Sequence, residues 1–447
     1  MQKILSDNHV ILESYQEILS KLHSFERFGV RLGLERIKAL LRSLGNPHKQ
    51  LHFIHIAGTN GKGSVATSIT HILAEAGIKT GLYTSPHLIS IRERIKINNT
   101  SISRCAFLHV AQEVLGVIAK KHKEDEFTFF EVITAIAFCF FFQKKVSWVV
   151  LETGLGGRLD ATNVVSSAIQ IITSIEKEHT EYLGKSITQI ACEKAGIIKK
   201  KGIVLTAARG RAGSVIKQVA NRMDARLYCY PYNMSYVIKK RTQTGQSLDC
   251  KGPGFTIKDL FLSMVPSCQA VNCLLAITAI RILSRYGISI SEEIIKKGMA
   301  TISFPGRWSE ISWRDLQFIV DGAHTPRAVI SFVKTFQEQY PHKKTTIIFG
   351  ICHDKNVGKI INELLPITQK VMVVALNTAR SRNVEDLVTS WAKVFPQEDI
   401  FTISSLHEFL LEKNTLLADE LQPIVVIGSL FLAGEFFKEI GMTFCGK

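Results

Sequence analysis

The run Gly58, Thr59, Asn60, Gly61, Lys62, Gly63, Ser64 combines three glycines with one lysine and two hydroxyls. Glycines let a backbone come close to a phosphate chain, and N–H groups at a helix start, with the positive end of its dipole, favour an anion there. Lys62 would reach the outer phosphates, and Thr59 or Ser64 offers a hydroxyl to phosphate or magnesium. The spacing departs from the strict phosphate loop: Gly58 comes too few positions before Gly61, and Gly63 separates Lys62 from Ser64. Its setting gives the string weight. Phe53, Ile54 and Ile56 read as a strand, and Val65, Ile69, Ile72, Leu73 and Ala76 fall at helical spacing up to Gly77, so the loop joins a strand to a helix. A tight turn with a solvated lysine is the plainer alternative.

In an open parallel sheet, ligands collect beyond the carboxyl ends of the strands. Four polar residues stand just after predicted strands: Ser85 after 82–84, Glu152 after 147–151, His179 soon after 168–174 and Asp321 after 317–320. They are expected to converge on one edge. A carboxylate at Glu152 beside a phosphate loop suits magnesium, which takes one or two carboxylates and completes its shell with water and phosphate; capping a neighbouring helix is the alternative. Gly154, Gly156 and Gly157 follow it and predict a loop that approaches a ligand closely. His179 and Lys194, taken alone, read as a structural histidine and a solvated lysine.

The elements that must position these groups alternate. Helical spacing is present over 11–22, 32–44, 106–119, 129–142 and 187–195, with strands between and at 203–207, which predicts a parallel sheet with helical crossovers. Residues 228–264 change to short alternating pieces, expected as hairpins attached to the same domain, followed by helices at 269–286 and 291–299. The stretch 301–306 has no period and contains Pro305, so a boundary is placed there, giving domains of 1–300 and 301–447. Strands at 317–320, 345–349, 371–375 and 424–427 make the second domain α/β as well.

The 447 residues are 46% hydrophobic and 21% charged, ordinary for a globular protein. A net charge of +16 suits anionic ligands. The basic clusters at 199–201 and 239–241 lack aromatic interleaving, which argues against nucleic acid. Nine cysteines, an odd count without CxxC spacing and with Cys139 and Cys192 inside apolar runs, point to a reducing compartment. The start has no signal-like apolar region, and the longest apolar run, 132–142, falls short of the roughly 20 residues of a membrane span, so a cytoplasmic location without membrane attachment is expected.

GTNGKGS at 58–64, TSPHL at 84–88, GLGGRLDATN at 154–163, EHTEYLG at 178–184, EKAGI at 193–197, PGR at 305–307 and DGAHTP at 321–326 occur in the order of the dihydrofolate synthase and folylpolyglutamate synthase family, part of the ATP-dependent Mur ligases. The chain resembles that family from about residue 32 to Gly428 and Ser429. The resemblance implies a P-loop-type ATPase domain with a parallel sheet, then a Rossmann-like α/β domain that ligates glutamate. It implies ATP phosphates held by Thr59 to Lys62 within the glycine loop, and magnesium on Ser85, Glu152 and His179. Lys194 matches a lysine that is carbamylated in the family, which gives a second magnesium a carboxylate end. Asn272, Arg307 and Asp321 match ATP contacts, the last two from the second domain, and His324 supports them. Arg27, Phe28, Gly29, Val30 and Arg31, Thr128, Phe129, Phe130 and Glu131, and Leu159, Asp160 and Ala161 match the pteroate-binding surfaces. Lys62, His179, Lys194 and Arg307 are the implied catalytic group.

The implied reaction joins L-glutamate to dihydropteroate or a reduced folate at the expense of ATP, in a monomer. The chain departs from the family at Glu178, Thr325 and Asn356, and at Arg31, where a bifunctional relative would carry an acid. A cell-wall Mur ligase is a rival reading, although it would need a uridine-binding domain where only about fifty residues precede the loop. A nucleotide-dependent switch is the other.

Overall fold

The computed structural model describes residues 14–121, 127–411 and 422–445. Strands β1 (His52–Ala57), β2 (Thr80–Tyr83), β3 (Ile95–Ile97), β4 (Thr100–Ser101), β5 (Trp148–Glu152), β6 (Ile169–Ile172), β7 (Ile203–Thr206) and β8 (Arg226–Cys229) form one sheet in the order β4-β3-β2-β5-β1-β6-β7-β8. From β2 to β8 across the sheet the strands are parallel, and β3 and β4 add an antiparallel edge. These parallel strands are nearly continuous apolar runs because helices cover both faces. Successive residues divide between the two faces: Phe53, Val149 and Leu151 pack with the Phe129–Gln143 helix, while Ile54, Ile56 and Val150 pack with the Lys62–Glu75 and Cys268–Ile282 helices.

The 19-residue stretch Cys268–Tyr286 is by length and composition apolar enough to cross a membrane, a run that the sequence-based choice of 132–142 passes over. It is mostly buried and serves as a core helix. Its last turn tightens to a 3-10 helix at Leu283–Tyr286, where the predicted helix 269–286 ends.

Strands β9 (Ser235–Thr242), β10 (Gly245–Gly252) and β11 (Phe255–Leu262) form a separate antiparallel sheet. Leu248, Ile257 and Leu260 enter the same core as the Lys62–Glu75 helix. The predicted hairpin region began too early, since Tyr228 belongs to β8, the parallel edge of the large sheet.

The rest of the chain forms β12 (Ser309–Trp313), β13 (Leu316–Asp321), β14 (Thr345–Phe349), β15 (Thr368–Val373), β16 (Ile400–Thr402) and β17 (Ile424–Ile427), in the order β12-β13-β17-β14-β15-β16. All pairs are parallel except β12 with β13. Separate apolar clusters lie on its two faces, one around Ile319, Ile347 and Val425 and the other around Phe318, Ile348 and Val426. The predicted strand 371–375 starts earlier, at Thr368, because Thr368 and Lys370 already pair with Thr345 and Thr346. Of the predicted helix 11–22, residues 14–22 are helical and 11–13 lie outside the described residues. Cys139 is buried, but Cys192 is exposed: its neighbours Ile190 and Ala191 take the inner face of their helix.

Candidate functional site

The carboxyl ends of β1, β2 and β5 in the first sheet and of β13, β14 and β17 in the second open on one cleft of about 400 Å³. The glycine-loop residues Thr59 to Ser64 form its floor. Gly61 is left-handed at φ 88° and leads into the Lys62–Glu75 helix, whose start has no side-chain cap. The first N–H groups of a helix have no partner within it, so they are available to an anion. A Cβ on Gly61 would lie 2.4 Å from Asn272 Oδ1, and one on Gly63 would lie 2.9 Å from Phe304, so side chains have no room here. Gly58 stands behind the floor, against Thr173.

Lys62 Nζ donates to the Thr59 carbonyl at 3.2 Å and lies 3.8 Å from Glu152 Oε1. The Glu152 carboxylate also accepts from the Ser85 backbone N–H at 3.1 Å. Burial raises its pKa, and Lys62, the Ser85 N–H, Arg307 and Arg94 oppose that rise. Ser85 and His179 line the same cleft. His179 has a left-handed backbone at φ 52°, and burial brings its imidazole down to about 4, so it is neutral at pH 7. Among the described residues no group of three or more His, Cys, Asp or Glu is arranged to hold a metal. Ser85 and Glu152 nevertheless fit magnesium, which needs few protein ligands beside phosphate and water.

Lys194 is buried just behind this floor and donates from Nζ to the Gly58 carbonyl at 2.7 Å. Burial, followed by the charge of Lys62, brings its amine down to about 7, with Glu178 and Asp160 pulling the other way. A substantial neutral fraction at physiological pH is what reaction with CO2 requires.

Across the cleft, Arg307 and His324 come from the second sheet. Asp321 lies outside the cleft wall and fastens the turn that carries Arg307, accepting from the Trp308 and Ala323 N–H groups at 2.8 Å each. Asn272 likewise stays behind Gly61, with its amide donating to Gln269.

Of the residues expected to meet the pteroate, Gly29, Val30, Arg31, Thr128, Phe130, Glu131, Leu159, Asp160 and Ala161 line the cleft. Arg27, Phe28 and Phe129 do not. Arg27 sits 4.7 Å over the Phe28 ring, and Phe129 stacks on His23 with the Arg94 guanidinium 5.3 Å from its centroid. Asp160 is a scaffold for its own loop: its carboxylate accepts from the Leu155 and Thr162 N–H groups.

Glu178, Lys355 and Arg94 were not picked out as site residues by the sequence. Glu178 Oε1 is 2.9 Å from Lys355 Nζ, 3.6 Å from His324 Nε2 and 3.9 Å from His179 Nε2, which ties the two sheets together. Arg94 lines the cleft and donates from Nε to His87 Nδ1 at 2.9 Å. In the sequence, Lys355 stands beside Asn356, one of the departures from the family, and Arg94 closely follows TSPHL.

Two family models match the chain: Mur ligase middle domain over residues 56–280 and Mur ligase, glutamate ligase domain over 306–430. A dihydrofolate synthase/folylpolyglutamate synthase of Bacillus subtilis is 32% identical over 379 residues, covering 84% of this chain and 88% of the relative. The crystal structure of a folylpolyglutamate synthase from Thermotoga maritima superposes with a TM-score of 0.83 at 33% identity, covering 96% and 97% of the two chains. Escherichia coli FolC in complex with DHPP and ADP gives 0.83 at 27% identity, with 95% and 97% covered.

Proposed function

The chain belongs to the Mur ligase family, in its dihydrofolate synthase/folylpolyglutamate synthase branch, and from that premise we propose how its cleft joins L-glutamate to a folate-type acceptor. It is an ATP-dependent acid–amino-acid ligase. Residues 1–300 serve as the nucleotide- and acceptor-binding domain and 301–447 as the glutamate-ligase domain. The observation that carries the reading is that Lys62 and Glu152 of the first sheet share one cleft with Arg307 and His324 of the second.

The triphosphate lies on the glycine floor, against the start of the Lys62–Glu75 helix, with Asn272 backing Gly61 and Asp321 fastening the turn that carries Arg307. A carboxylate oxygen of the acceptor attacks the γ-phosphorus and ADP leaves, forming an acyl phosphate. The glutamate α-amine then attacks the acyl carbon and phosphate departs. Phosphoryl transfer asks the protein mainly for positioning and charge neutralisation, which Lys62 and Arg307 supply. Ser85, Glu152 and His179 would hold magnesium, which when bound offsets phosphate charge; a carbamylated Lys194 would give a second ion its carboxylate. The acceptor's ring end lies along Gly29 to Arg31, Thr128 to Glu131 and Leu159 to Ala161. Both halves of the site come from one chain, which supports a monomer, and the free cysteines support a cytoplasmic setting.

The test is incorporation of labelled glutamate, with ATP, into dihydropteroate and tetrahydrofolate side by side. Lys62→Ala and Glu152→Gln are expected to abolish incorporation while circular dichroism stays native, and turnover retained in both rejects the assignment. A wild type that makes no product with either acceptor would favour a nucleotide-dependent switch.

A further inference from the structure

Three segments form the wall assigned above to the acceptor's ring end: an irregular stretch at 29–34, the start of the Phe129–Gln143 helix with its Thr128 cap, and the loop that leads into a 3-10 turn at Ala161–Val164. Residues 29–34 have no helix or strand, with Gly29 at φ 58° and Gly33 at φ 140°, so their backbone has many alternatives. Thr128 to Glu131 are better fixed, because Thr128 and Glu131 cap the Phe129–Gln143 helix reciprocally. Leu159 to Ala161 belong to the loop after β5. Something must hold the glycine segment in register with the other two.

Arg36, in the first turn of the Glu35–Ser43 helix, makes the bonds that do so. Its Nε donates to Glu131 Oε1 at 3.1 Å and Oε2 at 3.3 Å, and its NH2 nitrogen donates to the Arg31 carbonyl at 2.6 Å. Glu131 is 3% exposed and also accepts from the Thr128 N–H and hydroxyl, each at 2.8 Å. The Gly33 N–H reaches the Leu159 carbonyl at 3.4 Å, so the segment that Arg36 pins also meets the third. Arg36 does not itself line the cleft.

We propose that Arg36 is a positioning residue for the folate-type acceptor, registering the 29–33 segment against the Thr128 cap so that the slot for the acceptor's ring end is formed before binding. This rests on the proposed function. A planar fork that bonds a carboxylate and a carbonyl together suits the task, and a lysine at this place cannot do both. The glycine floor and Lys62 lie elsewhere in the cleft, so the effect falls on the acceptor and leaves nucleotide binding alone.

The experiment is steady-state kinetics of Arg36→Ala, Arg36→Lys and Glu131→Gln, with calorimetric titration of AMPPCP as the control for an intact nucleotide site. Arg36→Ala is expected to raise the acceptor KM roughly ten- to hundredfold, the range for losing a charge-assisted hydrogen bond. The KM for ATP and the AMPPCP affinity stay within about twofold of wild type, a change typical of neutral sites. Arg36→Lys recovers part of the loss, and Glu131→Gln shows the same split in smaller measure. An unchanged acceptor KM in Arg36→Ala overturns the inference, as does an equal weakening of acceptor and nucleotide, which would mark a general loss of structure. Failure of the proposed function is distinct, because it appears in the wild type as absence of product.

Discussion

Replacing Glu178 with glutamine tests whether the cleft works by closing two sheets on its substrates. The carboxylate stands between Lys355 of the second sheet, at 2.9 Å, and His324 and His179, at 3.6 and 3.9 Å, with Lys355 and Glu178 side chains only 11% and 15% exposed. Burial pushes this carboxyl up, but the His324 hydrogen bond and the charges of His324, Lys355 and His179 hold it well below the usual carboxylate range. Removing one partner of a fully buried pair costs about 3–5 kcal/mol. Here Asp354 remains 3.2 Å from Lys355 and the cleft admits water, so the loss is roughly 1.5–3 kcal/mol. The bridge crosses between the sheets, and its loss therefore falls on the closed arrangement. On that account kcat/KM for ATP drops by roughly ten- to 150-fold in Glu178→Gln. Glu178→Asp keeps the charge, is shorter by one methylene, and should fall between. The pH dependence has a defined sign. A depressed carboxyl contributes stability that is present above its unfolded pKa of about 4.3 and is lost as pH falls through the folded value, so the Glu178→Gln deficit should be flat from about pH 8 to 5. Coupled ADP-release kinetics at several pH values, with thermal unfolding alongside, measures it. A variant within about twofold of wild type, or one that loses stability with kcat/KM unchanged, refutes the closure argument.

The Lys194 amine is brought down to about 7 from 10.5, so the unfolded chain binds the extra proton over that window and stability should rise with pH across it; Lys194→Met flattens this slope in thermal unfolding. The same depression predicts that wild-type activity falls in CO2-stripped buffer, returns with bicarbonate, and is lost in Lys194→Arg, with the intact mass reporting one bound CO2. Gly61→Ala places a Cβ 2.4 Å from Asn272 Oδ1 at φ 88°, and the left-handed strain of about 1–2 kcal/mol alone predicts roughly tenfold weaker AMPPCP binding by calorimetry. Adding Asn272→Ala relieves the contact but not the strain, so recovery is partial, and full affinity in the single variant would contradict it. Thr325 caps the Pro326–Gln339 helix by accepting from the Ala328 N–H; Thr325→Asn leaves denaturant stability within about 0.5 kcal/mol, while Thr325→Ala costs about 1 kcal/mol.

How much of this was legible in the sequence follows from how far apart partners lie. The strand, loop and helix around Gly58 to Gly77 could be read because each signal is local: an apolar run for a strand buried on both faces, glycines at the turn, then apolar residues at helical spacing. The short strands β3, β4, β12 and β16 escaped, since pieces of two to five residues at sheet edges have no period to read. The charged positions were least legible. Arg36 meets Glu131 across 95 positions and Glu178 meets Lys355 across 177. In the sequence each is one charge among 94 acidic and basic residues, and a single charge is by default a solvated face; only the topology puts the pairs together.

The same distinction sorts the four departures from the family pattern. Thr325 and Asn356 both act through the backbone, each accepting an N–H in the first turn of a helix, and Thr, Asn and Asp serve as caps almost interchangeably, so these two changes leave the second sheet's loops where they were. Glu178 carries its charge one methylene farther than an aspartate would, which is the direction needed to reach Lys355 across the cleft. Arg31 is different in kind. Its carbonyl is held by Arg36 whatever its side chain, while its guanidinium stands 4.9 Å over the Phe28 ring at the cleft wall. The backbone contact is indifferent to side-chain identity, so the substitution changes the charge facing the acceptor and leaves the register of the wall intact. A positive group where an acidic one would stand favours anionic parts of a ligand over neutral or cationic ones. Comparing Arg31→Glu with the wild type on dihydropteroate and on tetrahydrofolate tests this: a shift in the ratio of the two acceptors' kcat/KM is expected, and an unchanged ratio contradicts it.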